Sequence, residues 1–415
     1  MRTFTIALLL AIRQLQRANR WSSLLIVSVM TLTFLNLVAI SGILVGLIAG
    51  AERAFQDQLY GDLTITARAD EDRILHTQQF INTLAITPHV TAFSVRYDSP
   101  ARVEANYRTR RNLATERDVV SGRVTGINLV DEDAVTNLAD WVVEGSYPPP
   151  GSEGFILIGS LLIDRYAEQF PDIVDSLTDV HPGDRVRVTI GSATQEFTVA
   201  GIIDSKVGEV SANIFISERE FRRLANRFDR NADRIAVTTI TPEHALSLQA
   251  ILNSHGYGDS ARIRTFQEAI PRFLLDIKET FTILGTFIGG VGVVVASITI
   301  FIIIFINALS RRRQIGILKG IGINQRVIEI AYVIQASAYV LAGSLIGVLI
   351  TYGILVGYFD RHPLDFPFSD GILVAEPLGT LYRFLVLLVV TLLAGFIPAW
   401  LIARQNTLNA ILGRK

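Results

Sequence analysis

Few side chains in this chain are placed to do covalent chemistry. Cysteine is absent, which excludes disulfides and thiolate metal sites. The histidines (His76, His89, His181, His244, His255, His362) are scattered, and no two stand at metal-ligand spacing. No G-x-x-x-x-G-K-[ST] phosphate loop, H-E-x-x-H or G-x-S-x-G occurs. One stretch does stand out, "LSRRRQIGILKGIGINQR" from Leu309 to Arg326. Arg311, Arg312 and Arg313 lead into an apolar segment between two hydrophobic runs. The spacing predicts a short helix presenting Ile317, Leu318 and Ile321 together, ended by Gly320 and Gly322. Its chemistry is non-covalent: charge that fixes a side of the membrane, and apolar groups exposed for a partner. A helix lying on lipid is the plainer alternative.

Four uncharged runs must hold that stretch in place: Ser22–Ala51, Thr280–Ser310, Ile330–Phe359 and Phe384–Ala403. Half the chain is apolar and its mean hydropathy is +0.39. Each run has the roughly 20 residues that a helix needs to cross a bilayer. The first two are flanked by sequence that stays helical in pattern, "AERAFQDQLY" and "RFLLDIKETF", so they are expected to extend as stalks. Arginine and lysine collect before the first run (Arg2, Arg13, Arg17, Arg20), between the second and third, and after the fourth. The segment 51–279 instead carries a net charge of −10. The positive-inside rule then puts both termini and the 311–329 loop in the cytoplasm and the acidic segment outside. In "MRTFTIALLLAIRQLQR", Phe4, Leu8, Ile12 and Leu15 share one face, the pattern of an interfacial helix rather than a cleaved signal.

Segment 51–279 alternates strand and helix signals, as in an α+β domain. "DLTITA" reads as a strand and "TQQFINTLAIT" as a helix. "VTAFSVRYDSPARVEA" reads as paired strands, and "HPGDRVRVTIGSATQEFTVAGIID" as a hairpin. "SEREFRRLANRF" opens with a capping box, Ser217 and Glu220, and "TPEHALSLQAILNSHG" with a threonine cap. Within the spans, polar groups are sparse: Asn36, Asn307, Gln335 and hydroxyls, suited to interhelical hydrogen bonds. No acid, lysine, arginine or histidine lies in the runs, which argues against a proton-coupled carrier. Glycines four apart (Gly42/Gly46, Gly285/Gly289, Gly343/Gly347, Gly353/Gly357) mark close helix packing and favour a dimer.

This layout resembles bacterial permeases of the MacB/FtsX/LolCE type of ABC transporter. The likeness is carried by "AIRQLQRANRWSSLLIVSVMTL", "RRRQIGILKGIGINQRVIEIAYVIQA" and "FIPAWLIARQNTLNAIL". It also rests on "VTGIN…VVEGSYPPPGSEGFILIGSLL…GDRVRVTI…QEFTVAGII" in the large insertion. "LIAGAERAFQDQLYGDLTIT" looks most like the lipoprotein-releasing LolC/LolE branch. Gln314 stands where relatives often have Glu, and Thr407 where a proline is common.

The resemblance implies four transmembrane α-helices with a large extracytoplasmic α+β domain inserted between helices 1 and 2, and cytoplasmic termini. The divisions are 1–51 (interfacial helix and helix 1), 52–279 (extracytoplasmic domain), 280–310 (helix 2), 311–329 (coupling loop), 330–359 (helix 3), 360–383 (outer loop) and 384–415 (helix 4 and tail). It implies an ATPase-coupling helix over Gln314, Ile315, Gly316, Ile317, Leu318, Lys319, Gly320, Ile321 and Gly322. A cytoplasmic ABC ATPase dimer, binding ATP and Mg in its own chain, is the implied partner; this chain itself is read as non-catalytic. A second permease, the same or a related chain, membrane lipid and a periplasmic acceptor or adaptor complete the implied partners; nucleic acid is not among them. The expected function is transmission of ATP-driven motion to release or extrude an amphipathic cargo such as a lipoprotein. Efflux of small molecules or peptides, and signalling to a cell-wall hydrolase, are the alternatives.

Overall fold

The computed structural model describes residues 2–17, 20–108, 117–167, 175–310, 312–362, 366, 369 and 373–404. Helix α1 (Arg2–Gln16) precedes α2 (Arg20–Phe55), which runs on as a π-turn over Gln56–Tyr60. Next come β1 (Leu63–Thr66), α3 (Thr77–Ile86), β2 (Val90–Glu104), β3 (Val119–Ile127), α4 (Leu129–Thr136), β4 (Val142–Gly145), β5 (Phe155–Gly159) and α5 (Asp164–Ala167). The insertion continues with β6 (Arg185–Ile190), β7 (Ala193–Ile203), α6 (Gly208–Ser211), β8 (Asn213–Ser217), α7 (Glu218–Leu224), β9 (Arg234–Thr239), α8 (His244–Ser254), β10 (Arg262–Thr265) and α9 (Phe266–Ala269). It is followed by α10 (Arg272–Ser310), α11 (Arg312–Gly320), α12 (Gln325–Ile350), a π-turn over Thr351–Leu355, α13 (Val356–Arg361) and α14 (Pro377–Ala403).

Among the described residues four helical spans are long and apolar enough to cross a membrane: Arg20–Tyr60, Arg272–Ser310, Gln325–Phe359 and Pro377–Leu401. All four start before the uncharged runs, and two of them do so by seven residues or more. Helix α10 begins eight residues before Thr280, directly after Pro271, and tolerates Asp276, Lys278 and Glu279 because no Gly or Pro interrupts it there. Helix α14 begins seven residues before Phe384, with Pro377 in its first position, where a missing N–H costs nothing. The outer loop predicted over 360–383 therefore ends at Glu376.

The described residues divide into two compact units. The membrane unit holds residues up to Ile48, the stretch from Asp276 to the 365 region, and α14. Its core gathers Met30, Phe34 and Val38 of α2, Ala296, Ile300 and Ile304 of α10, Tyr332, Ala336 and Val340 of α12, and Leu387 and Ala394 of α14. A Cβ at Gly343 would collide with Met30, and one at Gly347 with Phe34, so these glycines let α12 seat against α2. Gln335 donates to the Tyr339 hydroxyl (3.3 Å), which also meets Ser23 (3.3 Å), and Thr31 donates to the Gly343 carbonyl (3.1 Å). The polar side chain of Gln335 is thus absorbed by hydrogen bonding within the bundle.

The second unit is the inserted domain, residues 49–275 with Phe366 and Ser369. Strands β10-β1-β9-β2 form an antiparallel sheet with α3 and α8 as crossovers, a split βαβ arrangement. The chain between β2 and β9 builds a second sheet that closes on itself. Its pairings run β2–β3, β3–β8, β8–β5, β5–β7, β7–β6 and β6–β2, with β4 added on β7. Ring closure pairs most of the strand edges, and Val103, Val124, Ile158, Val188, Phe197, Val199 and Ile214 are buried in the shared core.

Strand β2 corrects the paired-strand reading of "VTAFSVRYDSPARVEA": it is one strand through Pro100. Its first half pairs with β9 up to Arg96, and β6 joins only from Arg102. Between them β2 has β3 as its sole neighbour, so one edge is open and Pro100 forfeits no ladder bond there. Asp98 accepts from Arg234 Nε (2.6 Å) and Thr125 Oγ1 (2.7 Å) where β2 passes from one sheet to the other. Helix α8 also begins later than its threonine suggests, at His244, with the Thr241 hydroxyl on His244 Nδ1 (2.8 Å).

Candidate functional site

Helix α11 occupies Arg312–Gly320, and Gly322 sets its end. Gly322 has φ +94°, a left-handed conformation that glycine adopts without a steric cost. Its N–H donates to the Lys319 carbonyl (3.0 Å), and the Ile323 N–H to that of Leu318 (3.0 Å). This pair of bonds is a Schellman stop. Asn324 then caps α12, its side chain accepting from Arg326 N (3.0 Å). Two helix ends are therefore closed within five residues, which fixes the angle between α11 and α12.

The faces of α11 separate cleanly. Ile315 is buried in the bundle core beside Ala308 and Ile328, and Gly316 is buried with it. Ile317 and Ile321 are 49% and 72% exposed, on the turn where i and i+4 meet. Leu318 and Lys319 are half-buried, and Gln314, Gly320, Gly322 and Arg313 are exposed. The trio expected at the surface is thus a pair, Ile317 and Ile321, with Leu318 turned partly inward. Arg311 and Thr407 lie outside the described residues, and Arg312 opens the helix. Arg13, Arg17 and Arg20 are exposed.

Helix α1 packs on α12 through a face that apolarity does not reveal. Ala7 and Ala11 are fully buried against Val327 and Ala331, while Phe4, Leu8 and Ile12 are exposed. The signal is small-residue spacing, four apart on both helices. The other glycines act within the chain as well. Would-be Cβ atoms at Gly285 and Gly289 lie 3.1 Å from Leu44 and Leu37 of α2, and Gly42 faces Leu373 at 2.9 Å. Gly46 is buried, and Gly353 and Gly357 have nothing within 4 Å. Gly285, Gly289, Gly343 and Gly347 are accordingly occupied by intrachain packing and give no support to a dimer.

Where α2 and α10 enter the inserted domain, the geometry is different. Ala51, Ala54 and Phe55 of α2, Leu59, Phe266 and Leu274 of α10 belong to one buried cluster with Leu129, Leu138, Leu157, Ile203 and Phe215. The Phe55 and Phe273 rings meet edge-on at 5.9 Å. The π-turn 56–60 is held from all sides. Arg96 donates from Nη1 to the Leu59 carbonyl (2.5 Å) and forms a two-point pair with Glu132 (Nη2–Oε1 2.7 Å, Nε–Oε2 2.9 Å). Both charged side chains are about 4% exposed or less. Ser94 (2.6 Å) and Thr136 (3.2 Å) donate to the same carboxylate. The Gln58 side chain accepts from Ser205 Oγ (2.6 Å) and Lys206 N (3.1 Å). Gln56 donates to Asp62 (2.7 Å), whose other oxygen accepts from Thr239 N (2.7 Å). Gly61, at φ +67°, follows because a Cβ there would stand 2.6 Å from the Val237 carbonyl. Lys206 Nζ also donates to the Phe366 carbonyl (3.2 Å), within the same unit.

Two titrations mark the domain. Burial opposes ionisation of Asp98, yet Arg234 and the Thr125 hydroxyl hold its carboxyl below the ordinary value. Burial, with Glu218 nearby, pushes the Tyr97 hydroxyl up to about 12, so it stays a neutral donor. Among the described residues no cluster of His, Asp and Glu is arranged to hold a metal.

Residues 23–254 match the MacB-like periplasmic core domain, and residues 286–407 match the FtsX-like permease C-terminal region. The chain belongs to the MacB/FtsX family of ABC-transporter permeases. With its four apolar spans it is a multi-pass protein of the bacterial inner membrane. Among curated relatives, the ABC transporter permease YtrF of Bacillus subtilis is 26% identical over 185 residues, 43% of this permease and 40% of YtrF. The macrolide export ATP-binding/permease protein MacB of Campylobacter jejuni is 26% identical over 228 residues, 52% of this permease and 34% of MacB. The chain thus spans well under half the length of either relative. Two solved structures align with about half of it, the extracellular domain of YknZ (11% identity, TM-score 0.34, 99% of that chain) and the periplasmic region of MacB from Actinobacillus actinomycetemcomitans (15%, 0.35, 88%).

Proposed function

We propose that this permease transmits the motion of a cytoplasmic ATPase to its inserted domain, which acts on an amphipathic cargo outside the membrane. The observation that carries this reading is the continuity of α2 and α10. Each runs without a break from a membrane-length apolar stretch into residues buried in the inserted domain, Phe55 and Leu274 among them. A flexible hinge would absorb displacement, and none of the described residues between 20 and 60 or between 272 and 310 leaves helical structure.

The arginine-rich 311–329 loop and both termini face the cytoplasm, and the ATPase binds in a separate chain. Its dimer seats on the Ile317/Ile321 face of α11, which Ile315 anchors to the bundle. The inserted domain is extracytoplasmic, where it meets cargo and any adaptor or acceptor. A second permease completes the assembly. The lack of charged groups in the uncharged runs supports extrusion from outside over carriage through the bilayer.

For the cargo, a lipid-modified protein is the first reading, resting on the "LIAGAERAFQDQLYGDLTIT" resemblance. Export of a smaller amphiphile is the second, favoured by the relatives named for macrolide export. The experiment is to purify the permease with the ATPase encoded beside it and measure ATP hydrolysis in nanodiscs. A triacylated lipopeptide that stimulates hydrolysis supports the first cargo, and a macrolide that does so supports the second. An ATPase that neither co-purifies nor responds overturns the transmission reading.

A further inference from the structure

The membrane unit contains a cavity of about 430 Å³ near the Ile48 end of α2, walled by α2, α10 and α14. That volume falls in the range of small-ligand sites. Sixteen residues line it; apolar side chains, glycines and hydroxyls make up all but one, and the exception is Arg383. Gly285 and Gly289 hold α10 close to α2 on this wall, whereas Gly290 has nothing within 4 Å, so its missing side chain is open volume.

Arg383 is built into the wall. It is the seventh residue of α14, within a membrane-length span, and only partly exposed. Its Nη1 folds back over Gly379, 2.9 Å from where a Cβ would stand, so glycine there clears the path of the guanidinium. Among the described residues no carboxylate forms an ion pair with it, including Glu376 one residue before the helix. An arginine inside a span is costly and is kept where an anion or water meets it. The cavity supplies the complement: a guanidinium at one side and Leu37, Leu44 and Val293 beyond it.

We propose that this cavity binds one anionic amphiphile of the membrane-lipid type. The head sits on the Arg383 guanidinium with the Ser41 hydroxyl in the same wall, the Thr282 hydroxyl being engaged on the Lys278 carbonyl (2.7 Å), and the acyl chain lies among Leu37, Leu44 and Val293. An arginine pairs with a phosphate oxygen by charge-assisted hydrogen bonds, and the aliphatic wall replaces the lipid tail's neighbours in the bilayer. The site stands on the cavity and does not depend on which cargo the permease moves.

The test uses the full-length chain in nanodiscs, without the ATPase, so that its outcome is separate from that of the transport reading. Two photoactivatable probes carry the same diazirine acyl chain, one a phosphatidylglycerol and one a phosphatidylcholine. Peptides of α2, α10 and α14 should be labelled about tenfold more by the phosphatidylglycerol, the size of effect one charge-assisted contact gives. Arg383→Gln should reduce labelling to the phosphatidylcholine level, and Arg383→Lys should restore most of it. Gly290→Leu fills the cavity without displacing a neighbour and should abolish labelling while Arg383 remains. Equal labelling by the two probes would mean that Arg383 merely reaches for the membrane surface, and would overturn the proposal. So would full competition by soluble glycerol phosphate, which would reduce the site to an anion site without a tail. Gly290→Cys in this cysteine-free chain provides one more arm. Efficient disulfide linkage between two copies would show that protein covers the cavity and would likewise overturn the proposal.

Discussion

The two ends of α10 are made in opposite ways. At the junction with the inserted domain, Leu274 of α10 is buried in one cluster with Phe55 and Leu59, and the neighbouring turn is held by Arg96, Glu132, Gln58 and Asp62 through hydrogen bonds within the chain. At the 310–322 end, α11 is seated by Ile315 with Gly316 and the half-buried Leu318, and leaves Ile317 and Ile321 uncovered. The first is finished within the chain, whereas the second leaves apolar side chains exposed. The proposed transmission asks for both kinds of end: one buried where displacement is passed on, and one open where it is received.

That contrast can be broken by substitution, starting with the largest effect. Glu132→Ala leaves Arg96 buried without its carboxylate and should cost about 3–5 kcal/mol. Thermal unfolding of the full chain in detergent should show it, and replacing both partners with Arg96→Met and Glu132→Leu should recover much of the loss. Ile317→Asp with Ile321→Asp should leave the unfolding temperature nearly unchanged, because both side chains are exposed. The same pair should weaken ATPase binding by about 2 kcal/mol or more, measured by co-purification and titration. Leu318→Asp is a less clean probe, since Leu318 is half-buried and its change would strain the helix as well.

Acid sharpens the contrast further. Asp98 has its carboxyl depressed in the folded domain, so its stabilising contribution is present at neutral pH. That contribution fades as pH falls below the ordinary carboxylate value and is lost through the folded one. Asp98→Asn should therefore flatten the acid limb of the stability profile and lower stability near pH 7, where the Arg234 guanidinium loses its carboxylate. The smallest effect belongs to Gly322→Ala, about 1 kcal/mol from forcing a side chain into the left-handed region.

Much of the architecture was legible in the sequence because uncharged runs, alternation and caps are local signals. The apolar spans, the "GSAT" hairpin and the Ser217 cap belong to this class. What escaped depended on contacts distant in sequence. Ser94 and Arg96 alternate with Phe93, Val95 and Tyr97, which reads as a solvent face, yet Glu132 of α4 covers that face and buries both. The segment "VTAFSVRYDSPARVEA" reads as paired strands rather than one because nothing local reports that β2 has one neighbour at Pro100. Ala7 and Ala11 were overlooked because the larger side chains of α1 face away from α12. In the candidate site, the position of α11 and its glycine stop were readable, while the inward turn of Leu318 was set by the bundle beneath it.

The central claim is that α2 and α10 act as rigid levers, and a break in the lever tests it directly. Gly-Ser-Gly-Ser insertions after Ile48 of α2 and after Leu275 of α10, made together, would interrupt both helices and leave α11 and the junction cluster intact. Amide hydrogen exchange of the inserted domain is then compared, in the complex with the ATPase, between nucleotide-free and ATP-vanadate states. The unmodified complex should show a nucleotide-dependent change in residues 49–60 and 266–275, and the insertions should abolish that change while ATPase binding and hydrolysis persist. An inserted domain that still responds in full through the flexible segments would contradict the lever account.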